Sequence, residues 1–439
     1  MTHAGETIDQ KWPRAPGGGK PVPGLVLVFS AGRPRLGALP LGARPLTLGR
    51  GEIAGMTLDD ACLSREHAEA AFLGGAFRFR DLGSRNGTAV DGALLVAPFA
   101  GAEARVLRTG DTLWLPTADL RPFVGAAVDT SGGLVIGPTL REAWNRIAAL
   151  AGAGDVLHVT GETGAGKEEA ARCFHAAGPR ARGPFVPVNC ATIPQALAER
   201  LLFGARRGAY SGADADVDGY IQQADGGTLF LDEIAELEAG VQAKLLRVVE
   251  TREVLPLGAT KARRVDVGIC SATHGDLPAR VEAGRFREDL YFRVGRPAVA
   301  LPPLRDRRED IPWLVQAFLA PAGAEAHASL IEASLMRAWP GNVRELAMEI
   351  KEAARLAAEA GSASVEVSHL AARAGGEALA APAPDDAAAP DRDALEAVLA
   401  RHEGNVARSA RDLGVHRNQL RRWIARYGID AARFRRGGG

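Results

Sequence analysis

Residues 156–168 read VLHVTGETGAGKE and decide the fold of the central part of the chain. An apolar run that predicts a buried strand leads into Gly161–Lys167, which fits the spacing G-x-x-x-x-G-K, and a helical pattern follows. Glycines in such a loop let backbone N–H groups surround a phosphate, and the positive end of the next helix points at it. The order strand, loop, helix therefore predicts a phosphate-binding loop, with Lys167 reaching the β- and γ-phosphates of a nucleotide.

A second strand pattern, GGTLFLDE at 226–233, ends in two carboxylates. Such a pair is often only a solvated strand end. Next to a phosphate loop it suits binding of magnesium by Asp232 and polarisation of a water molecule by Glu233. We therefore predict a bound nucleotide, with magnesium as its cofactor. Glu168 stands where the common motif has Ser or Thr, so one usual magnesium ligand is absent.

Around these motifs the chain reads as a series of domains. Short apolar runs separated by turn residues predict an all-β sandwich over 24–125, after a polar lead-in at 1–23. Helical stretches alternate with buried-strand runs over 134–375, which predicts a parallel α/β sheet. An Ala/Pro linker at 376–390 precedes short helical patterns over 391–429.

Composition excludes several classes of protein. The 439 residues contain 53 Lys+Arg and 53 Asp+Glu, so overall charge indicates no partner. The four cysteines are scattered without a CxxC pair, which predicts neither a disulfide framework nor a zinc site. The longest apolar run near the start, 25–29, is too short for a membrane span, and we expect a soluble cytoplasmic protein without a membrane partner.

The central motifs resemble the AAA+ domain of bacterial enhancer-binding proteins, the sigma-54-dependent transcriptional activators. The resemblance covers about 134–370, explains Glu168, and includes a helical lid from about 305. It implies an ATPase whose sites lie between subunits of a ring, usually a hexamer, with the exact stoichiometry left open. The ATP-binding residues that it implies are Gly161, Glu162, Thr163, Gly164, Ala165, Gly166, Lys167, Glu168 and Arg344.

The same resemblance assigns further catalytic roles. Asn189 stands at the position of a residue that switches the catalytic glutamate, and Thr273 matches the sensor I threonine. Arg287 and Arg293 fit the arginine fingers that a neighbouring subunit inserts, which are worth about 10³–10⁵ in rate. His274 departs from the family pattern because it replaces an asparagine.

The loop Gly208-Ala209-Tyr210-Ser211-Gly212-Ala213 occupies the place of the family's GAFTGA loop, which contacts sigma-54. Tyr210 replaces Phe and keeps an aromatic tip, whereas Ser211 replaces Thr and loses a methyl group. An acidic stretch, 214–218, follows where relatives often carry basic residues. The implied partner is the sigma-54 RNA polymerase.

The N-terminal region carries three short motifs, at 48–50, 64–67 and 81–88, that together resemble a forkhead-associated (FHA) domain. This family is a β-sandwich whose loops bind phosphothreonine peptides, so the implied partner is a phosphothreonine protein or a Ser/Thr kinase. His67 is expected to shape a loop. The candidate phosphopeptide-binding residues are Arg50, Ser64, Arg65, Ser84, Arg85 and Asn86.

The tail carries eleven Arg against six Asp/Glu over 391–436, a local excess of 11 − 6 = +5. Its apolar spacing, with Gly414 between two helical patterns, resembles a Fis-type helix-turn-helix that binds enhancer DNA. Arginine pairs with guanine edges, and Asn or Gln with adenine. The predicted DNA-contacting residues are Arg417, Asn418, Gln419, Arg421 and Arg422.

The leading hypothesis from the sequence is therefore a sigma-54-dependent activator regulated through its FHA domain. Whether that domain activates or represses is left open. Two alternatives remain: an ATP-driven DNA-binding regulator that does not act on sigma-54, and a non-enzymatic, phosphopeptide-dependent DNA-binding scaffold.

Overall fold

The computed structural model describes residues 20–211, 213–376 and 392–402, together with 404, 409, 412, 413, 424, 427, 429 and 431–434. The chain divides into two compact units, and the boundary lies between Ala127 and Val128. Within the described ranges, no helix is both long and apolar enough to cross a membrane.

The first unit consists of strands, as the short apolar runs between turn residues predict. They are β1 (Gly24–Ser30), β2 (Arg33–Pro40), β3 (Leu46–Leu48), β4 (Gly51–Ile53), β5 (Met56–Leu58), β6 (Ala68–Leu73), β7 (Ala76–Asp81), β8 (Thr88–Val90), β9 (Ala93–Leu94), β10 (Phe99–Gly101), β11 (Leu107–Thr109) and β12 (Thr112–Thr117). One sheet has the order β2-β1-β12-β11-β8-β9 and the other β10-β7-β6-β3, with β4 and β5 as a separate hairpin. The predicted all-β sandwich is confirmed.

The period of two in the sequence produces the core between these sheets. In β7, Phe77 and Phe79 are buried while Arg78 and Arg80 between and after them are exposed. Trp114 of β12 is fully buried, and its indole Nε1–H donates to Thr109 Oγ1 at 3.1 Å. The indole thus fills the core without leaving its polar atom unpaired.

The second unit is α/β. Its elements are α1 (Pro138–Ala153), β13 (Val156–Thr160), α2 (Lys167–Ala177), β14 (Phe185–Asn189), α3 (Gln195–Phe203), α4 (Tyr220–Gln223), β15 (Thr228–Asp232), α5 (Ala239–Thr251), β16 (Glu253–Val254), β17 (Arg263–Arg264), β18 (Gly268–Thr273), α6 (Leu277–Glu282), α7 (Glu288–Val294), β19 (Ala298–Ala300), α8 (Ile311–Leu319), β20 (Glu325–Ala326), α9 (Ala328–Leu335), α10 (Asn342–Glu359), β21 (Ser364–Val365) and α11 (Arg392–Arg401).

Five of these strands form one parallel sheet in the order β14-β15-β18-β13-β19. Its middle strands are apolar on both faces because helices cover them, and every residue of β18 is buried. The register pairs Asn189 with Asp232 and Thr160 with Thr273. The carboxyl ends of four strands therefore meet at one edge, which is where the phosphate loop begins.

A helical subdomain follows the sheet, as predicted, although its first residues form short 3₁₀ turns and the first α-helix, α8, begins at Ile311. Trp339 is fully buried there, and its indole donates to the Ser334 carbonyl at 2.8 Å. Beyond this lid, Leu395 and Leu399 of α11 form a small apolar cluster with Ile429. The predicted DNA-contacting residues Arg417, Asn418, Gln419, Arg421 and Arg422 lie outside the described residues.

Trp114→Ala is expected to destabilise the first unit by about 3–5 kcal/mol, because it empties the core and removes the partner of Thr109. Trp114→Phe should cost less, since it keeps most of the apolar volume. Amide hydrogen exchange of the full chain measures the destabilisation by each variant as a loss of protection in β1 and β12. Unchanged protection in both strands of the Ala variant would contradict the described core.

Candidate active site

A cavity of about 420 Å³ lies between the phosphate loop and the lid of the second unit. One wall is apolar and combines residues before α1 with residues of α8, which suits a flat aromatic ring. The other wall is polar and combines the phosphate loop with the carboxyl ends of the strands. The lining residues named in the sequence analysis are Thr163, Gly164, Ala165, Gly166, Lys167, Glu168, Asn189, Asp232, Glu233 and Arg344.

The phosphate loop adopts the conformation that its glycines allow. Gly161, Gly164 and Gly166 have φ values of 155°, 75° and 108°, a region that other residues rarely enter. A Cβ on Gly164 would lie 2.2 Å from the Gly341 carbonyl oxygen of the lid. The loop wraps around Lys167, whose Nζ donates to the Gly161 carbonyl at 3.0 Å. Lys167 is only 8% exposed, so its charge is directed into the cavity.

The lid holds the outer side of this loop. Arg305 forms two hydrogen bonds with the Glu162 carboxylate, at 2.6 and 2.9 Å. This guanidinium holds the pKa of Glu162 below its usual value. Fully buried Asn342 donates to the Thr163 carbonyl at 3.0 Å and accepts from the Leu304 N–H at 2.7 Å. Glu162 therefore fixes the loop to the lid and is not directed at the cavity.

Buried Arg307 adds a further contact between lid and loop. Its Nη2 donates to the Ala165 carbonyl at 2.8 Å, and its Nη1 lies 3.5 Å from Asp310. Burial lowers the pKa of Arg307 and raises that of Asp310. The pair is only partly satisfied, since Arg307 Nε and Asp310 Oδ1 have no hydrogen-bond partner among the described residues. The geometry therefore assigns Arg307 a structural task beside the cavity.

The two predicted carboxylates lie at the polar end of the cavity. Asp232 ends β15, and burial raises its pKa because the charged form loses water. Glu233 follows in a left-handed conformation, with φ of 53° and ψ of 46°, and its Oε1 lies 3.9 Å from Lys167 Nζ. The strained backbone turns the glutamate side chain towards the phosphate loop.

The end of β18 supplies partners for this glutamate. Thr273 Oγ1, the predicted sensor residue, lies 3.4 Å from Glu233 Oε2. The ring of His274 is closer, with Nδ1 2.7 Å from the same oxygen. The Asn189 carboxamide is turned elsewhere, since its Oδ1 accepts from the Ala191 N–H at 3.0 Å.

The predicted arginine fingers do not belong to the cavity of their own chain. Arg287 pairs with Asp289 at 2.7 Å, Arg293 with Glu250 at 3.2 Å, and both side chains are exposed. Neither is among the described residues that line the cavity. Arg344, exposed at the start of α10, does line it. Within one chain the site therefore has carboxylates and Lys167 but lacks these two cations.

The loop predicted to contact a partner is an exposed turn. Gly208 N–H donates to the Ala213 carbonyl at 2.9 Å, which closes the turn, and Tyr210 lies at its tip with 36% exposure. The guanidinium of Arg200 lies 5.2 Å from the centre of the Tyr210 ring. Ser211 is exposed, and Gly212 lies outside the described residues.

The acidic stretch after this loop is largely neutralised by its own neighbours. Asp216 forms an ion pair with Arg206 and accepts from the Arg207 N–H at 2.8 Å. Asp218 lies 3.3 Å from Arg263 of β17. The stretch therefore stabilises the base of the loop more than it presents bare negative charge.

A second candidate surface lies on the first unit, where loops after β3, β5 and β7 converge. Arg50, Arg65 and Arg85 are exposed, and Ser64 Oγ accepts from the Arg85 N–H at 3.2 Å, which leaves its own proton available. Asn86 Nδ2 donates to the Cys62 carbonyl at 2.8 Å. These side chains form a basic rim with hydroxyl and amide donors, suited to a phosphate.

Two residues of this surface serve the loops themselves. Fully buried His67 accepts from the Ser64 N–H at 3.1 Å through Nδ1 and bonds the Gly87 carbonyl at 3.1 Å through Nε2, so it joins two loops as expected. Ser84 donates to Asp81 at 2.6 Å and accepts from the Gly87 N–H at 3.0 Å. The Ser84 hydroxyl is thus committed to loop structure.

Four matches to known families follow the chain in order. Residues 46–116 match the FHA domain, 135–299 the Sigma-54 interaction domain, 305–386 the AAA+ ATPase lid domain, and 390–427 the Fis family of bacterial regulatory proteins. Together with the phosphate loop, the strand-end carboxylates and the lid, they define a AAA+ protein of the P-loop class with flanking FHA and helix-turn-helix modules.

Individual relatives agree with this class. The chain is 39% identical over 295 residues to the transcriptional regulatory protein ZraR of Klebsiella oxytoca, covering 64% of this chain and 66% of that one. It is 39% identical over 299 residues to the Nif-specific regulatory protein of Azotobacter vinelandii, covering 65% and 57%. A crystal structure of NtrX from Brucella abortus in complex with ATP is 33% identical, with a TM-score of 0.51 over 69% of this chain and 70% of that one. The chain belongs to the sigma-54-dependent transcriptional activators, although it spans less than two thirds of the length of these two curated relatives.

Sequence reasoning missed the residues that join lid and loop. Arg305, Arg307 and Asn342 lie within the motifs LPPLRDRREDI and WPGNVREL, yet none was singled out. The sequence held two partial signals, namely three arginines within 305–308 and an asparagine directly after Pro-Gly. Asparagine tolerates the left-handed backbone that turns require, and Asn342 indeed has a φ of 51°. Their contacts are long-range, so spacing along the chain could not identify them.

Asn342→Ala is expected to destabilise the second unit by about 2–3 kcal/mol, because it leaves the buried Leu304 N–H without a partner and places alanine at positive φ. Denaturant unfolding of the full chain measures the loss. Arg355→Ala, which removes exposed pairs on α10, is the control and should change stability by less than about 0.5 kcal/mol. Equal effects of the two substitutions would contradict the described clamp.

Proposed function

We propose that this protein hydrolyses ATP in an oligomeric ring and uses the energy to convert the closed complex of sigma-54 RNA polymerase into the open complex. The observation that carries the proposal is the cavity between phosphate loop and lid, which brings Lys167, Asp232, Glu233 and Thr273 together. Family membership supports the same activity, and the helix-turn-helix would hold the protein on enhancer DNA in the cytoplasm.

The residues of the cavity fit ATP with magnesium. There is room for a phosphate beside the loop, since a Cβ on Gly166 would meet nothing within 4 Å, and backbone N–H groups of such a loop bind phosphate oxygens. Asp232 would hold magnesium, which would neutralise the phosphate oxygens. The raised pKa of Asp232 shows a carboxylate deprived of water, which is the kind of group that a cation stabilises.

Within this site each side chain has a task that its geometry suits. Lys167 would bond the β- and γ-phosphates and exchange its present carbonyl partners for them. Glu233 would accept a proton from the attacking water, with Thr273 close to its carboxylate. Arg344 would contact the nucleotide from the lid of the same subunit.

A neighbouring subunit would complete the site. Arg287 and Arg293 lie on the surface with exposed acidic partners, and exposed pairs of this kind contribute little to stability, so they exchange partners easily. An arginine brought to the γ-phosphate would stabilise charge that develops during transfer. This supports the assembly of a ring, for which a hexamer is the expected form.

The loop carrying Tyr210 and Ser211 is the proposed contact with sigma-54. The loop presents an exposed aromatic side chain on a hydrogen-bonded turn, and ion pairs of Asp216 and Asp218 reduce the negative charge beside it.

Lys167→Ala and Glu233→Gln are each expected to abolish ATP-dependent formation of open complexes at a sigma-54 promoter, because one removes the phosphate contact and the other the proton acceptor. Tyr210→Ala should keep ATP turnover within about twofold and lose open complexes by at least about tenfold, as expected for a partner contact. Permanganate footprinting and phosphate release measure the two outputs separately.

The controls for this experiment separate the hypotheses. Tyr210→Phe, which keeps the aromatic ring, should retain most of the promoter opening. ATP turnover by the wild-type protein without any opening of a sigma-54 promoter would favour a regulator that acts on another form of polymerase. Absence of turnover would leave the non-enzymatic DNA-binding scaffold as the better account.

We further propose that the FHA domain binds a phosphothreonine protein, such as a substrate of a Ser/Thr kinase, through Arg50, Ser64 and Asn86. Arg65 and Arg85 extend the basic rim, whereas Ser84 contributes by shaping the loop. The exposed arginines and the available Ser64 proton support a dianionic ligand.

Arg50→Ala is expected to weaken binding of a phosphothreonine peptide library roughly 10- to 100-fold, since charge-assisted bonds to phosphate are lost. Arg80→Ala, on β7 and paired with Glu69, is the control and should bind as the wild type does. Fluorescence polarisation with phosphorylated and unphosphorylated libraries gives the affinities. Equal affinity for both libraries would exclude this reading of the surface.

A further inference from the structure

The two oxygens of the Glu233 carboxylate lie in different surroundings. Oε2 is held at the end of β18 by His274 Nδ1 at 2.7 Å, by the His274 backbone N–H at 3.3 Å and by Thr273 Oγ1 at 3.4 Å. Oε1 has Lys167 Nζ at 3.9 Å. One oxygen is therefore fixed by the strand end, while the other faces the lysine of the phosphate loop.

The imidazole is the closest of these partners. The His274 ring is about half exposed, whereas the Glu233 side chain is only 14% exposed. An electrostatic contact at 2.7 Å with a carboxylate that is shielded from water is stronger than the same contact at the surface. His274 therefore contributes more than the longer contacts to the orientation of Glu233.

The residue expected to hold the glutamate has other partners. Asn189 caps the short turn at 190–192, where its Oδ1 accepts from Ala191 and its carbonyl accepts from Thr192 Oγ1 at 2.9 Å. The Asn189 Oδ1 is therefore engaged by this turn, and among the described residues no hydrogen bond joins the Asn189 carboxamide to Glu233.

We propose that His274 is a positioning residue for Glu233, and that it carries the glutamate-holding task that the family pattern places on Asn189. The inference rests on the proposed ATP hydrolysis. With Oε2 fixed by His274, Oε1 is directed towards the phosphate loop, where the attacking water would lie beside the γ-phosphate.

The neighbouring lysine explains why this holding matters. Without His274 the glutamate is free to close the 3.9 Å gap to Lys167 and form a direct ion pair. That shift would withdraw the proton acceptor from the water. His274 keeps Glu233 turned towards the water, so its loss is expected to affect the chemical step and not the binding of the nucleotide.

The experiment compares His274→Ala with His274→Asn in the full chain. His274→Ala should lower kcat for ATP by about tenfold or more and leave the KM within about twofold, because the orientation of the base is lost while the nucleotide contacts remain. His274→Asn, whose amide also donates, should restore most of kcat. Steady-state phosphate release gives both constants, and titration with a fluorescent ATP analogue gives the affinity.

A matched control is His369→Ala, since His369 accepts from the Glu366 N–H at 3.0 Å and is not among the described residues lining the cavity. It should keep wild-type kcat and KM. Wild-type kcat in His274→Ala, an equal loss in His274→Asn, or a loss that follows nucleotide affinity would each overturn the positioning role. An inactive wild type would overturn the proposed hydrolysis itself, and this inference with it.

Discussion

The site depends on the hydrogen bonds by which the lid holds the back of the phosphate loop. The three consecutive carbonyls of 163–165 each accept a bond from the lid. Their donors are Asn342 Nδ2 at 3.0 Å, the Val343 N–H at 3.1 Å and Arg307 Nη2 at 2.8 Å. Because the lid satisfies these carbonyls, it fixes the loop in its glycine-dependent conformation, while inside the loop the Ala165 N–H donates to the Glu162 carbonyl at 3.2 Å. The phosphate loop is therefore shaped by residues that lie about 140–180 positions further along the chain.

The charges inside the cavity follow from this arrangement. Lys167 is nearly buried beside Asp232 and Glu233, and burial raises the pKa of Asp232 because water no longer stabilises its charge. The Glu233 carboxylate lies between two basic side chains, with His274 near its Oε2 and Lys167 near its Oε1. The charge that develops at the γ-phosphate during hydrolysis needs further cations. The exposed arginines on and beside α7 are the groups that a neighbouring copy of the chain would supply.

Much of this architecture could be predicted from the sequence. The short apolar runs over 24–125, the phosphate loop at 161–167 and the strand at 226–233 depend on neighbouring residues, so the sandwich and the α/β sheet were predicted correctly. The clamp by Asn342 and the side-chain partner of Glu233 could not be predicted in this way, because each joins segments that only folding brings together. The acidic stretch at 214–218 shows the same limit, since its charge is visible in the sequence and its pairing with arginines is not.

The central claim is that the cavity of one subunit is completed by arginines from the next. Mixing subunits tests it most directly, with Glu233→Gln chains that keep the arginines and Arg287→Ala chains that keep the cavity. Each variant alone should be nearly inactive, and the mixture should recover ATP turnover, because a cavity of the second variant can lie against the Arg287 of the first. A mixture no more active than its separate components would contradict the account.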